Sequence, residues 1–208
     1  MTAIIDYGVG NLFSLLSSLE KIGEKAVVTA DTEIIRASDR IILPGVGAFR
    51  DAAAKLDSSG MVPELFRQAE KGKPILGICL GMQLLFTRSF EYGEYAGLGL
   101  IKGDIRPIPR TSKTLKIPHM GWNSLSFKNG VHSLFKYIKN GDYVYFVHSF
   151  YGTDCDDTVI AATDYGTELT AAVARKNIMG CQFHPEKSGQ VGLNILRAFC
   201  EMKEGSLC

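Results

Sequence analysis

Residues 73–86 constrain the fold of this chain more than any other stretch. Residues 75–78 are apolar and predict a short buried strand, and residues 82–86 predict the start of a helix. Between them, residues 77–81 read Gly-Ile-Cys-Leu-Gly, the G-x-nucleophile-x-G pattern of a strand-to-helix elbow with cysteine in place of serine. The glycines allow a tight turn, and the helix N-terminus favours a thiolate at Cys79. The pattern indicates either a nucleophile or a buried cysteine at a packing turn.

Composition and charge exclude several classes of protein. The 208 residues are 46% hydrophobic and 22% charged, and the formal net charge of +1 argues against a nucleic-acid or membrane-surface binder. The chain begins without a basic region and has no apolar run of the ~20 residues needed to span a bilayer. We therefore expect neither a signal peptide nor a membrane segment.

The cysteines predict the redox environment of the protein. They are five in number and widely spaced, and no two form a C-x-x-C pair. We therefore expect no metal site and no disulfide framework, and we expect a cytoplasmic protein with reduced thiols. The five are Cys79, Cys155, Cys181, Cys200 and Cys208.

Strand and helix patterns alternate along the first half of the chain. Strands are predicted at residues 2–5, 25–29, 40–43 and 75–78, and helices after Asn11 and over residues 51–56 and 62–71. This alternation favours a central, mostly parallel sheet flanked by helices, with functional sites at the carboxyl ends of its strands. The loops at Gly8, Gly45 and Cys79 follow three of those strands, so we expect one crevice to gather them.

Glycines and prolines interrupt the second half of the chain from about Glu91 onward. The predicted strands there cover residues 143–150, 159–163, 170–174 and 178–183, and a closing helix follows them. We expect these to add antiparallel strands to the α/β fold. No repeat, linker or low-complexity segment interrupts residues 1–208, which predicts a single domain.

A second chemical cluster, His184-Pro185-Glu186, follows the last predicted strand. A cysteine nucleophile needs an imidazole to hold its proton and deliver it to a leaving group, and the imidazole needs a carboxylate to orient it. Of the four histidines, His184 has a carboxylate two residues away. The sequence therefore predicts a Cys79–His184–Glu186 triad, although a structural turn at the end of a strand would also explain the second cluster.

Two glycine-rich loops have less specific patterns. Gly8 and Gly10 resemble the start of a dinucleotide-binding fingerprint, but Phe13 stands where a third small residue is required, so a Rossmann cofactor site is not expected. Residues 44–49 read Pro-Gly-Val-Gly-Ala-Phe after a predicted strand. Such a loop can turn backbone N–H groups toward an anion, or it can be a passive connection.

Several segments together resemble a known enzyme family. Residues 77–83 (GICLGMQ) and 183–186 (FHPE) resemble the signatures of class I glutamine amidotransferases, which are Cys-His-Glu enzymes with an α/β fold. Within that group, the chain resembles the glutaminase subunits of imidazole glycerol phosphate synthases from residue 3 to about residue 200. The segments that carry this second resemblance are residues 6–11, 44–49, 118–123, 146–149 and 184–188.

The resemblance implies a reaction and roles for individual residues. Cys79 would attack the side-chain amide of L-glutamine, and His184, oriented by Glu186, would transfer protons. The oxyanion would be held by the Leu80 N–H and by an N–H of the Val46–Gly47 loop, and no cofactor would be needed. The implied glutamine-binding residues are Gln83, Glu91, His148 and Ser149.

The resemblance also implies a partner. Glutaminases of this family deliver ammonia to a (β/α)8-barrel cyclase subunit, which makes imidazole glycerol phosphate and an aminoimidazole carboxamide ribotide in histidine biosynthesis. The residues implied at the interface are Asn11, Trp122, Tyr145 and Lys187. Glycines on both sides of Val46 make a peptide flip inexpensive, so we expect low activity in the isolated chain and stimulation by the partner with its ligand.

Three alternatives fit parts of the sequence. A paralogous amidotransferase could serve another synthase, such as a surface-sugar enzyme, while keeping every segment above. A cysteine hydrolase of peptides would not explain Gln83 or the loops that resemble partner-binding segments. A subunit that binds its partner without catalysis would have no need for an intact triad at Cys79, His184 and Glu186.

Overall fold

Strands and helices alternate through the first half of the chain. A computed structural model describes residues 1–111 and 115–205; Cys208 lies outside the described residues. The elements are β1 (Thr2–Ile5), α1 (Leu12–Lys21), β2 (Ala26–Thr29), α2 (Thr32–Ala37), β3 (Arg40–Leu43), α3 (Phe49–Ser58), α4 (Val62–Glu70), β4 (Ile75–Ile78) and α5 (Leu80–Leu84).

Strands dominate the second half until a closing helix. The elements are β5 (Phe86–Ser89), β6 (Tyr95–Ala96), β7 (Ile101–Pro107), β8 (His119–Ser124), β9 (Ser126–Phe127), β10 (Tyr143–His148), β11 (Phe150–Thr153), β12 (Val159–Asp164), β13 (Glu168–Arg175), β14 (Ile178–Cys181) and α6 (Gly189–Cys200). Short 3₁₀ turns include Ser133–Phe135 and Pro185–Lys187.

The main sheet has eight strands in the order β2-β1-β3-β4-β14-β13-β12-β9. The first five are parallel to one another, whereas β13, β12 and β9 are antiparallel additions. The predicted fold class, a mostly parallel sheet with antiparallel strands from the second half, is confirmed. Because β4 lies between β3 and β14, the loops that follow these three strands meet at one edge.

Both faces of the sheet are covered, which explains why its parallel strands are mostly apolar. On β1, Ile4 packs into a core layer with α1 and α6, and the next residue, Ile5, packs into the opposite layer with α2 to α5. Side chains alternate between the two faces along a strand, so a strand with both faces covered is hydrophobic at successive positions and not only at alternate ones.

Two smaller sheets contain strands that the sequence patterns did not predict or did not separate correctly. One has the order β11-β7-β5-β6, and the other pairs β10 with β8. The predicted strand over residues 143–150 is therefore wrong as one element, since it breaks at Ser149. Residues before the break pair with β8 and residues after it pair with β7.

The helix after Cys79 is also shorter than its pattern predicted. It ends at Leu84, and Phe86 already belongs to β5. Backbone N–H groups of Leu98 and Ile101 donate to the carbonyl oxygens of Leu84 and Leu85, at 2.8 and 2.9 Å. A neighbouring segment thus satisfies the carbonyl groups that a continuing helix would have used. Within the described residues, no helix is long and apolar enough to cross a membrane.

Candidate active site

The turn that carries Cys79 has the geometry of a nucleophile elbow. Cys79 has φ +55°, a value that residues other than glycine rarely adopt. Its flanking glycines are required for packing: a Cβ on Gly77 would lie 2.7 Å from the backbone of Met82, and one on Gly81 would lie 1.8 Å from the Leu43 carbonyl oxygen. The elbow therefore presses against the end of β3, and strain of this kind is typical of functional sites.

His184 and Glu186 follow β14, the strand beside β4. The Cys79 N–H donates to the Cys181 carbonyl at 2.8 Å, which ties the two strand ends together. The short turn that Pro185 begins brings Glu186 Oε1 within 2.7 Å of His184 Nδ1, and both side chains are buried. The other carboxylate oxygen, Oε2, is buried and has no hydrogen-bond partner among the described residues.

The surroundings of His184 favour its charged form. Burial lowers the pKa of the imidazole, but hydrogen bonds with Cys79 and Glu186 outweigh that effect and raise the pKa to about 9. His184 is therefore protonated at neutral pH, with the Cys79 sulfur on one side and the Glu186 carboxylate on the other. This is the arrangement of an imidazolium ready to act as a general acid.

The loop after β3 closes over the elbow. A Cβ on Gly45 would lie 2.7 Å from the Gly81 nitrogen, whereas Gly47 has φ +98° and no atom of the described residues within 4 Å of an added Cβ. The Tyr7 hydroxyl donates to the Pro44 carbonyl at 2.7 Å, and the Phe49 N–H donates to Glu91 Oε2 at 2.6 Å. Hydrogen bonds thus hold the loop at both ends.

A cleft of about 350 Å³ lies over these groups, within the usual size range of small-molecule sites. Nine of its thirteen lining residues are predicted site residues, and Phe150, Tyr92 and Val147 lie beside predicted ones. The cleft is lined by Val46, Gly47, Cys79, Leu80, Gln83, Glu91, His148, Ser149, Phe150 and His184, together with Tyr92, Pro118 and Val147. Glu186 stands behind His184, and Gly8 is not among the lining residues, so the expectation that its loop would join the crevice is wrong.

The amide of Gln83 belongs to the wall of this cleft. Its Nε2 donates to the Phe150 carbonyl at 3.2 Å and to Gln182 Oε1 at 3.0 Å. Gln182 in turn places its Nε2 at 3.8 Å from Cys79 Sγ. Sequence reasoning missed Gln182, because its position in an apolar strand run gave no signal that its side chain would face the thiol.

Tyr7 was missed for a related reason. Burial raises the pKa of its hydroxyl well above the usual range, and the charge of Cys79 raises it further, so the hydroxyl stays neutral as a donor. Tyr7 belongs to a segment that carries the family resemblance, residues 6–11. Nothing in the neighbouring sequence indicated that its ring would reach the loop after β3.

Three of the four predicted interface residues lie together at the surface. Trp122 is 55% exposed and packs edge-on against Tyr145, with ring centroids 6.2 Å apart. Lys187 Nζ lies 6.0 Å from the centroid of the Tyr145 ring. Asn11 instead caps α1, with its Oδ1 accepting from the Ser14 N–H at 3.4 Å. Sequence reasoning did not select Phe13, which is 81% exposed two residues after Asn11.

Comparison with known proteins agrees with this fold. The family model for class I glutamine amidotransferases matches residues 3–202. A solved structure of a glutamine amidotransferase aligns with a TM-score of 0.73 at 17% identity, covering 96% of this chain and 97% of that one. A structure of PurLQS from Thermotoga maritima aligns with a TM-score of 0.72 at 22% identity, covering 95% and 96%. The chain belongs to the class I glutamine amidotransferases.

Relatives found by sequence similarity indicate which family within the class I glutamine amidotransferases the chain belongs to. Imidazole glycerol phosphate synthase subunit HisH of Caldanaerobacter subterraneus is 51% identical, over 97% of this chain and 98% of that protein. The subunit of the same name from Geobacter sulfurreducens is 50% identical, with the same coverage. The chain is a member of the HisH family.

Proposed function

We propose that this chain is the glutaminase subunit of an imidazole glycerol phosphate synthase of histidine biosynthesis. It hydrolyses the side-chain amide of L-glutamine and supplies the ammonia to a (β/α)8-barrel cyclase subunit. The observation that carries the proposal is the buried His184–Glu186 pair beside Cys79 at the floor of the cleft. Membership of the HisH family supports the choice of pathway.

Acylation uses the protonated His184. Cys79 Sγ attacks the amide carbon of glutamine, and the carbonyl oxygen becomes an oxyanion. His184 then gives its proton to the nitrogen as the carbon–nitrogen bond breaks, which leaves a glutamyl thioester on Cys79 and releases ammonia. Glu186 holds the ring through Nδ1, so that the other ring nitrogen faces the reacting atoms.

Deacylation uses the same imidazole as a base. Once the sulfur is acylated it can no longer balance a positive charge on His184, so the ring stays neutral after giving up its proton. It then takes a proton from water as the water oxygen attacks the thioester carbon. Collapse of the second tetrahedral intermediate expels the Cys79 sulfur and releases glutamate. His184 keeps the proton that it took from water, so the starting state of the site is restored.

Both oxyanions need preorganised donors, each worth about 3 kcal/mol in comparable sites. Leu80 is the first residue of α5, so its N–H has no partner within the helix. We assign it as one donor and an N–H of Val46 or Gly47 as the other. Glu91 offers a negative charge for the α-ammonium group of glutamine. The His148–Ser149 segment contributes the opposite wall of the site.

The partner docks, in this proposal, on the surface formed by Trp122, Tyr145 and Lys187, with Asn11 nearby, and a heterodimer results. Aromatic side chains in such positions are enriched at interfaces. The described cysteines are all free, which supports a reducing, cytoplasmic setting.

The decisive test is ammonia release from glutamine by the full chain, with and without the cyclase subunit and its nucleotide substrate. We expect strong stimulation by the liganded partner and loss of more than about 10³-fold activity in Cys79→Ala. Cys155→Ala, which removes another buried thiol, is the matched control and should keep its activity. Full activity of Cys79→Ala would overturn the nucleophile assignment, and stimulation by a different synthase would favour a paralogue of another pathway.

A further inference from the structure

Two buried histidines outside the triad form a hydrogen-bonded pair. His119 and His148 lie directly opposite each other on the antiparallel strands β8 and β10. His119 Nδ1 lies 2.9 Å from His148 Nε2, and both side chains are buried. The His119 ring is stacked between Phe146 and Tyr165, with centroid distances of 4.7 and 4.1 Å. His119 is not among the residues that line the cleft, but its hydrogen-bond partner His148 is.

The neighbours of the pair fix the direction of every hydrogen bond. The Phe150 carbonyl, 2.8 Å from His148 Nδ1, can only accept, so Nδ1 carries the hydrogen. If the ring of His148 is neutral, its Nε2 is unprotonated and accepts a hydrogen bond from the Nδ1–H of His119. The bare Nε2 of His119 accepts in turn from Asn123 Nδ2 at 3.3 Å.

Both rings must be neutral for this chain of hydrogen bonds to close. The second hydrogen on Asn123 Nδ2 goes to the Asp164 carbonyl at 2.8 Å, and Asn123 Oδ1 accepts from the Ser124 N–H, so the amide cannot reverse without losing bonds. Burial lowers the pKa of His119 to about 4 and that of His148 to about 3, although the hydrogen bond to Phe150 opposes the shift in His148. The two rings therefore act as fixed donors at neutral pH.

The series of hydrogen bonds from Asn123 through His119 and His148 ends at the wall of the candidate active site. The Phe150 carbonyl accepts from both His148 and Gln83, and Gln83 continues through Gln182 toward Cys79. The bond from His148 to Phe150 also spans Ser149, where the backbone passes from the sheet of β8 to the sheet of β7. A single carbonyl thus fixes both the corner of the cleft wall and the amide of Gln83.

We propose that His119 is a positioning residue for glutamine binding, because its Nδ1–H holds the His148 ring in the orientation that anchors the Phe150 carbonyl and the cleft wall at residues 148–150. The inference rests on the proposed glutaminase function. Without the donor at His119, the unprotonated Nε2 of His148 loses its hydrogen-bond partner, and the ring is free to turn away from the Phe150 carbonyl oxygen. The wall loses an anchor, and glutamine binds less tightly while the triad is unchanged.

The first test reads the tautomers directly. Nitrogen-15 NMR of the full chain at neutral pH should show both rings neutral, with hydrogen on Nδ1 in each. His119→Leu removes the donor, and His119→Asn keeps an N–H close to the place of Nδ1. We expect the signal of the hydrogen bond from His148 Nδ1–H to the Phe150 carbonyl to weaken in His119→Leu but not in His119→Asn. A wild-type His148 that carries its hydrogen on Nε2, or is charged, would overturn the inference.

The second test measures kinetics in the complex with the cyclase subunit. The KM for glutamine should rise about tenfold in His119→Leu, with kcat changed far less, and His119→Asn should restore most of the difference. His132→Asn is the matched control, since His132 caps a 3₁₀ turn and is not a cleft residue. Equal KM values in the Leu variant and the wild type would contradict the inference, as would an Asn variant no better than Leu.

The two tests remain decisive in less favourable cases. If His119→Leu does not fold, the wild-type tautomers and a near-normal KM in His119→Asn support the inference, and a different tautomer or a raised KM in that variant overturns it. Absence of ammonia release by the wild-type complex would refute the proposed function, and the tautomers would still be measurable. Wrong tautomers in an active enzyme would refute only the role of His119.

Discussion

His184 shows how the charge of one residue is set by its neighbours. Burial alone would keep the ring neutral, and a neutral ring could not protonate the departing ammonia. The contacts with Cys79 and Glu186 reverse that preference and raise the pKa from 6.5 to about 9. The contribution of these contacts to folding stability is thus fully present below about pH 6.5 and is lost as the pH rises through 9.

This shift predicts the alkaline limit of activity. The kcat/KM for glutamine should fall as the pH rises through about 9, where His184 loses its proton. Glu186→Gln removes a negative charge from the imidazolium, so the pKa of His184 and the alkaline limb should both move to lower pH. The measurement is the pH profile of kcat/KM for the two proteins in complex with the partner.

The comparison of variants isolates His184 from other titrating groups. The amino group of free glutamine titrates identically in every assay, so a difference between profiles belongs to the protein. Glu168→Gln, which changes an exposed carboxylate paired with Lys128, should leave the limb in place. An unmoved limb in Glu186→Gln would mean that the carboxylate does not stabilise the charged ring.

At the scale of elements, the loop after β3 uses its two glycines differently. Gly45 packs against the backbone of Gly81 and has no room for a side chain, whereas Gly47 has room but a positive φ. Tyr7 and Glu91 hold the two ends of the loop. Any change in the direction of the oxyanion donor is therefore confined to the few peptides between them, and Gly47 is the position that makes a flip inexpensive.

Alanine substitutions should separate the two roles. Gly47→Ala should cost about 1 kcal/mol of unfolding free energy, because strain at positive φ is its main effect. Gly45→Ala should cost more, roughly 2–3 kcal/mol, because its Cβ must displace the Gly81 backbone, the Tyr7 hydroxyl or Leu80. Urea unfolding of both variants measures the difference. Equal losses would show that the close approach of the loop to the elbow does not limit stability.

Most elements of the main sheet could be predicted from local patterns. The strands ending near Asp6, Pro44 and Cys79 are short apolar runs, and the Gly-x-Cys-x-Gly and His-Pro-Glu patterns predicted the triad before any geometry. The break at Ser149 could not be predicted, because it depends on which strands lie on either side of it. The contacts of Gln182 and His119 could not be predicted for the same reason: their partners, Gln83 and His148, are distant in sequence.

At the scale of the whole molecule, the proposed partner surface and the cleft share structural elements. Trp122 is an exposed residue of β8, the strand that begins with the buried His119. Tyr145 pairs with Trp122 in register, and the Tyr145 carbonyl accepts the N–H of His184 at 2.9 Å. A partner that orders this surface therefore acts on backbone that is directly bonded to the triad.

Trp122 is the residue on which the partner complex should depend most. Its indole lies edge-on to the ring of Tyr145, with centroids 6.2 Å apart, and this contact restricts its orientation before binding. A preorganised aromatic side chain loses little entropy on docking, which is a property of interface hot spots. Trp122→Ala should weaken binding of the cyclase subunit by about 2 kcal/mol, or roughly thirtyfold in Kd.

Isothermal titration calorimetry of the two full-length subunits measures this loss. Val131→Ala is the control, since Val131 is also exposed but follows β9, away from the Trp122 cluster. At saturating partner, Trp122→Ala should recover much of its glutaminase activity if the tryptophan serves mainly to bind. If Kd is unchanged while activity falls, Trp122 instead transmits the partner's state to the triad through β10, and the docking surface must lie elsewhere.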